Sequence, residues 1–277
     1  MNVERLVQRP LQRAGVTLAA YDAVGGGVPM VLQHGLCGSV QQTAEAFPDG
    51  PEDDDLRLLT LECRGHGSSA LGAATDLGLA TFADDVAAMI EAAALGPVTL
   101  GGISMGAAIA LRLAVRRPAL VRSLVLVRPA WVTAPAPDNL RPNAEVADWL
   151  AQLPASEARA AFEASPTARW LAEVAPDNLA SLRGFFDRTP LADTAELLRR
   201  LSADGPGVTA DEVRAIRVPV TVIGHDADAL HPLAHAHALA ALVPHARLLE
   251  ITPKAVSKTA YLHDLHAALR QHLRSLT

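Results

Sequence analysis

The amino-acid sequence predicts an α/β fold, a mostly parallel, doubly wound sheet with helices on both faces and one helical insertion. Three observations predict it. Short apolar runs bounded by Gly or Pro recur, and they lack the polar alternation of a half-exposed strand, as expected for strands buried on both faces. Helical stretches lie between them. One long segment carries no strand run at all.

In chain order the strand runs are VPMVLQH ending at His34, LRLLTLE ending at Glu62, GPVTLGGI ending at Ile103 and VRSLVLV ending at Val127. VPVTVIG, ending at Gly224, and ARLLEI, ending at Ile251, follow later. The stretch TFADDVAAMIEAAAL (81–95) opens on a threonine suited to an N-cap and carries acids early. GAAIALRLAVRRP (106–118) ends in basic residues and a proline, so both match helix boundaries. After Val132 the composition turns rich in Pro, Ala, Arg and acids, and Trp149 and Trp170 fall there, with Trp131 at its edge. This divides the chain into a core of residues 1–132 and 208–277 and a helical lid of residues 133–207. Phe162, Phe185 and Phe186 supply apolar mass to the lid. A helix from about Thr259 to Leu276 closes the chain.

The bulk composition limits function. The chain has 277 residues, half of them apolar, enough for a sizeable core. A formal charge of −6 gives no broad basic field for nucleic acid or anionic membrane. The only cysteines, Cys37 and Cys63, argue against a disulfide scaffold or a cysteine-based zinc ribbon. MNVERLVQRPLQRAG does not read as a signal peptide, and no apolar run is long enough to span a bilayer, so the expectation is a soluble, cytoplasmic protein.

Gly102-Ile103-Ser104-Met105-Gly106 is a G-x-S-x-G pentapeptide that follows a strand run and opens a helical one. A sharp strand-to-helix turn crowds the backbone, so small residues are needed two positions to either side of the serine. The serine oxygen then stands at a helix N-terminus, where free N–H groups favour developing negative charge.

On these residues the chain resembles the α/β-hydrolase superfamily over nearly its whole length. The resemblance implies Ser104 as nucleophile. His34-Gly35-Leu36 is similar to the superfamily's oxyanion loop, which implies that the amides of Leu36 and Met105 receive the oxyanion. Cys63-Arg64-Gly65-His66-Gly67-Ser68 resembles an R-G-x-G-x-S turn of architectural character, leaving His34 and His66 as turn and packing residues. Relatives place the catalytic acid after the penultimate strand, where VIGHDADALHP offers Asp226 and Asp228. The family's spacing to a proline four residues on favours Asp228, with Pro232. Either aspartate also suits a turn that caps the following helix.

The sequence departs from the resemblance at the base. Relatives carry a histidine shortly after the last strand; here that loop reads Thr252-Pro253-Lys254-Ala255-Val256, with no histidine between His245 and His263. A serine hydroxyl is a weak nucleophile without a base. His231, in the same loop as Asp228, is the leading candidate, and Lys254 the second, as in Ser-Lys variants. His263, His266 and His272 read as solvated faces of the terminal helix, and His235 and His237, two apart, do not make a metal-binding pair. No metal or organic cofactor is implied. Arg128 ends a strand run where ligands bind in open α/β sheets. With Trp131 it suits an anionic, partly apolar small molecule, or else a salt bridge from core to insertion. Two functions stay open: a serine hydrolase of a small carboxylic ester, thioester or lactone, and a catalytically silent, lyase, cyclase or ligand-binding protein of the same fold.

Overall fold

The computed structural model describes residues 1–23 and 27–276. Eight strands form one sheet: β1 (Leu6–Arg13), β2 (Val16–Ala23), β3 (Val28–Gln33), β4 (Leu56–Leu61), β5 (Val98–Ile103), β6 (Val121–Val127), β7 (Val220–Gly224) and β8 (Arg247–Glu250). Their order is β1-β2-β4-β3-β5-β6-β7-β8. β3 to β8 run parallel, whereas β1 pairs with β2 and β2 with β4 antiparallel. All six strand runs read from the sequence are present.

The hairpin of β1 and β2 is an addition to that reading. Its two-residue loop, Ala14 and Gly15, has φ of 44° and 80°, the twist that suits a tight hairpin. Ala14 does not announce such a turn as Asn or Asp would. β1 is also the outer strand, mostly exposed and carrying Arg9, Pro10 and Arg13, a polar edge that discourages further pairing.

Helices cover both faces. α1 (Val40–Ala46) and α11 (Lys258–Arg274) pack on one; α2 (Leu79–Ala92), α3 (Met105–Arg116) and α10 (Leu233–Leu242) pack on the other. Alternate residues of one strand enter opposite cores: Leu124 and Leu126 meet the α2–α3 side, Val125 and Val127 the α11 side. This two-sided burial is why the strands read as continuous apolar runs. α2 starts at Leu79, before the threonine expected to cap it. Its cap is tertiary: the Leu79 amide donates to Asp204 Oδ2 at 2.6 Å, a residue 125 positions away.

Between β6 and β7 the chain forms α4 (Arg141–Gln152), α5 (Ala155–Glu163), α6 (Pro166–Val174), α7 (Pro176–Gly184) and α8 (Leu191–Ala203), followed by the short α9 (Ala210–Arg214). Val146, Phe162, Leu171, Leu182, Phe186 and Leu198 bury one another in a core of their own. Trp170 lies outside it, 48% exposed. Among the described residues no helix is long and apolar enough to cross a membrane.

One histidine departs from expectation. His272 is buried, not solvated, and its Nδ1 lies 2.8 Å from Thr221 Oγ1. Position 272 continues the inward stripe of Tyr261, Leu265, Ala268 and Leu269, which α11 presses on the sheet. His263 is exposed, and His266 Nε2 meets the Glu45 carbonyl at 2.9 Å.

Burial pushes the His272 pKa down to about 4, helped by the Arg247 charge. Since the unfolded value is near 6.5, unfolding takes up a proton between these pH values, so this contribution to stability is complete above about pH 6.5 and lost as pH falls towards 4. The stability advantage of wild type over His272→Gln should narrow by about 2 kcal/mol between pH 7 and pH 5 in urea unfolding. A gap that stays constant over that range rejects a neutral buried imidazole.

Candidate active site

Ser104 occupies the bend between β5 and α3 with φ 56° and ψ −110°, a left-handed conformation costly for a residue with a Cβ. Its neighbours explain how the bend closes. A Cβ on Gly102 would lie 2.0 Å from the Gly106 carbonyl, and one on Gly106 would lie 2.3 Å from the Gln33 carbonyl oxygen. Both positions exclude a side chain because α3 crosses directly over β3 and β5. The Ser104 amide still donates to Val127 O at 2.9 Å, so the bend is held by the neighbouring strand.

The Ser104 hydroxyl lies 2.8 Å from His231 Nε2. The other ring nitrogen, Nδ1, lies 2.8 and 3.0 Å from the two carboxylate oxygens of Asp228. A carboxylate only accepts, so the neutral ring carries its proton on Nδ1 and leaves Nε2 to accept from the serine. Asp228 Oδ1 also accepts from the His231 backbone amide at 3.0 Å, and the acid thereby shapes the loop that bears the base.

Asp228 Oδ2 accepts from Arg128 Nε and Nη2 at 2.7 and 2.6 Å. Burial opposes ionisation of Asp228, but the charges of His231 and Arg128 together outweigh it and hold the carboxyl far below the usual carboxylate range. Burial also lowers the His231 pKa; Asp228 raises it and Arg128 lowers it, and the net direction is down. His231 is therefore a neutral acceptor at pH 7. Asp226, by contrast, is exposed, with its carbonyl taken by His225 Nδ1 at 2.6 Å.

Arg128 was expected either to grip an anionic ligand or to bridge to the insertion. Its guanidinium is engaged chiefly by Asp228 of the core and also forms the expected bridge to the insertion, to Asp177 of α7 at 3.8 Å, while it lines the cavity beside Ser104. Trp131 is 2% exposed, donates its indole N–H to Asp204 O at 2.9 Å and turns one side to the site. Lys254 lines the same cavity, but its ammonium pairs with Asp177 Oδ1 at 3.0 Å, while the Ser104 hydroxyl is met by His231.

Leu36, Ile103, Ser104, Trp131, Phe185 and His231 line a cavity of about 110 Å³. Met105 opens α3, so its amide is one of the helix's N-terminal donors, which lack partners within the helix. The loop bearing Leu36 is fixed by groups that sequence reasoning left to packing or missed. The Gly35 amide donates to Gln42 Oε1 at 2.7 Å, and the Cys37 amide to His66 Nε2 at 2.9 Å. His34 Nε2 accepts from the Cys63 amide at 3.0 Å, and its ring lies 4.8 Å from that of His66. Arg188, from the segment between β6 and β7, donates to Cys37 O at 2.9 Å. Asn143, also facing the cavity and 4% exposed, has an amide oxygen without a protein partner. Contacts at such sequence distances leave no local signal.

Residues 28–254 match the family described as alpha/beta hydrolase fold. The (E)-2-((N-methylformamido)methylene)succinate hydrolase of Acinetobacter baylyi is 35% identical over 124 residues, which span 44% of this chain and 45% of that relative, under half of either. BpoC of Mycobacterium tuberculosis, a protein named for non-heme bromoperoxidase activity, is 30% identical over 241 residues, 84% of this chain and 88% of that one. A thermophilic esterase from Thermogutta terrifontis, solved with malate bound, superposes with a TM-score of 0.71 at 20% identity, covering 98% of each chain.

The close approach at Gly102 and Gly106 generates a test. Gly102→Ala or Gly106→Ala should lower stability by about 3 kcal/mol or abolish soluble expression, because backbone atoms and not flexible side chains would have to move. Either variant unfolding at the wild-type urea midpoint would refute this account of the bend.

Proposed function

The chain belongs to the α/β-hydrolase family, and from that premise we propose that it is a serine-nucleophile hydrolase of a small carboxylic ester, thioester or lactone. The observation that carries the proposal is the continuous relay from Ser104 through His231 to Asp228, with contacts of 2.8 Å at each step. The loop after β8 has no histidine, which favoured a silent protein; His231, at 2.8 Å from the Ser104 hydroxyl, supports an active one.

In the proposed reaction His231 Nε2 removes the Ser104 proton as Oγ attacks the substrate carbonyl. The oxyanion forms at the amides of Leu36 and Met105, whose fixed orientation stabilises charge in a site that excludes most water. Asp228 stabilises the imidazolium and holds its tautomer, and His231 then protonates the leaving oxygen or sulfur. Water, activated by the same histidine, releases the acid and restores Ser104. The cavity's size restricts the acyl portion, and Trp131 and Phe185 offer it apolar walls. The charges around the cavity are mutually paired, Arg128 with Asp228 and Lys254 with Asp177, while the Asn143 amide oxygen is a buried acceptor without a protein partner that a donor group of a polar substrate would satisfy. Phe185, Asn143 and Asn178 come from the segment between β6 and β7, which supports its role as a lid over this cavity.

A fluorophosphonate probe should label wild type and leave Ser104→Ala unlabelled. With p-nitrophenyl acetate, His231→Ala should lose about 10²–10⁴ in kcat, and Asp228→Asn should fall with it. Because the His231 pKa is depressed and the neutral ring is the active form, the acid limb of kcat/KM should have its midpoint below pH 6.5. Full labelling of His231→Ala, or an acid limb centred above pH 7, would count against this histidine as base.

A further inference from the structure

The three-residue step from Asp228 to His231 is held from the helical side of the site. Asn178, the third residue of α7 and 1% exposed, accepts from the Ala229 and Leu230 amides through Oδ1 at 2.7 and 3.0 Å. Asn139, just ahead of α4, donates through Nδ2 to Leu230 O at 2.7 Å and to Ala130 O at 3.0 Å. The Leu230 side chain, 5% exposed, enters the insertion's core beside Phe162, Leu179 and Phe186. With the His231 amide on Asp228, the three successive amides from Ala229 to His231 all donate to side-chain acceptors.

From this geometry we infer that Asn178, seconded by Asn139, is the positioning residue for the base, an inference that rests on the reading of His231 given above. A histidine on the loop after β8 would take its position from the sheet. A histidine in the acid's own loop follows a left-handed turn at Ala227, φ 58°, and takes its position from the contacts that the loop makes. Without the two asparagines the loop would sample several conformations, and fixing one residue's backbone costs about 1–2 kcal/mol. The α7 turn is anchored in its own right. Asp177, next to Asn178, pairs with Lys254 at 3.0 Å, and Lys254 belongs to the loop that bears no histidine. One turn of α7 therefore grips both loops: Asp177 ties it to the loop lacking a histidine, and Asn178 places the loop that carries one. Segment 133–207 thus contributes to proton transfer as well as covering the pocket.

The test compares Asn178→Leu, which keeps the number and branching of side-chain heavy atoms and removes the acceptor, with Asn178→Asp, which keeps an acceptor for both amides. With p-nitrophenyl acetate, Asn178→Leu should lose about 10²-fold in kcat, the order expected for a displacement near 1 Å, with KM within about twofold. Asn178→Asp should recover most of that loss, and Asn139→Ala should move kcat in the same direction by a smaller factor. A purely structural role would lower the unfolding midpoint and leave kcat per folded molecule unchanged. Wild-type kcat in folded Asn178→Leu, or a loss that Asn178→Asp does not restore, overturns the inference. Should Asn178→Leu not fold, Asn139→Ala decides, and wild-type kcat there overturns it. His231→Ala in the same assay separates the two readings. If it is inactive while Asn178→Leu is not, only the positioning role fails; if it is fully active, the base assignment fails and takes this inference with it.

Discussion

The carboxylate of Asp228, with its side chain 1% exposed, is the interaction on which the site depends. It accepts two bonds from Arg128, one from the His231 amide and one from the imidazole. A buried charge so solvated is stable where an unpaired one would cost several kcal/mol. Each partner also performs a separate task. Arg128 keeps the acid ionised, the amide bond bends the loop, and the ring contact selects the tautomer that faces Ser104.

This arrangement sets opposing demands on His231. Asp228 favours the charged imidazolium, which in the proposed reaction forms as serine gives up its proton, whereas Arg128 and burial disfavour it. The balance leaves the ring neutral at rest, as a base must be, and able to charge transiently. The strain at Ser104 is met in the same economical way, by two glycines that let α3 cross directly over the strands. His34 and His66, buried and neutral, are consistent with packing roles, but their ring nitrogens also brace the loop that presents Leu36.

On the proposed reading, the departure from the family pattern at the loop after β8 is a relocation in space and not only a gap in sequence. In the family pattern the sheet delivers acid and base on two loops. Here Asp228 and His231, the acid and base of the proposed reaction, share one loop, and the segment between β6 and β7 bears on it through Asn139, Asn178 and the burial of Leu230. Lys254 is occupied with Asp177, which suits an anchor and leaves no ammonium free near the serine.

The sequence by itself determined the parallel strands, because a strand buried on both faces must be apolar at every position, and it determined the bend, because glycines at 102 and 106 leave a local pattern that geometry demands. It marked the loop after β7 as the home of acid and base candidates, and the resemblance's spacing to Pro232 favoured Asp228 over Asp226. Only tertiary structure shows Asp228 buried against His231 and Arg128 while Asp226 is exposed, and only it shows the Asp204 cap on α2 and the asparagine bonds to the loop. Those depend on which side chains converge across tens or hundreds of residues, and a one-dimensional pattern carries periodicity and turns but no record of which distant groups meet.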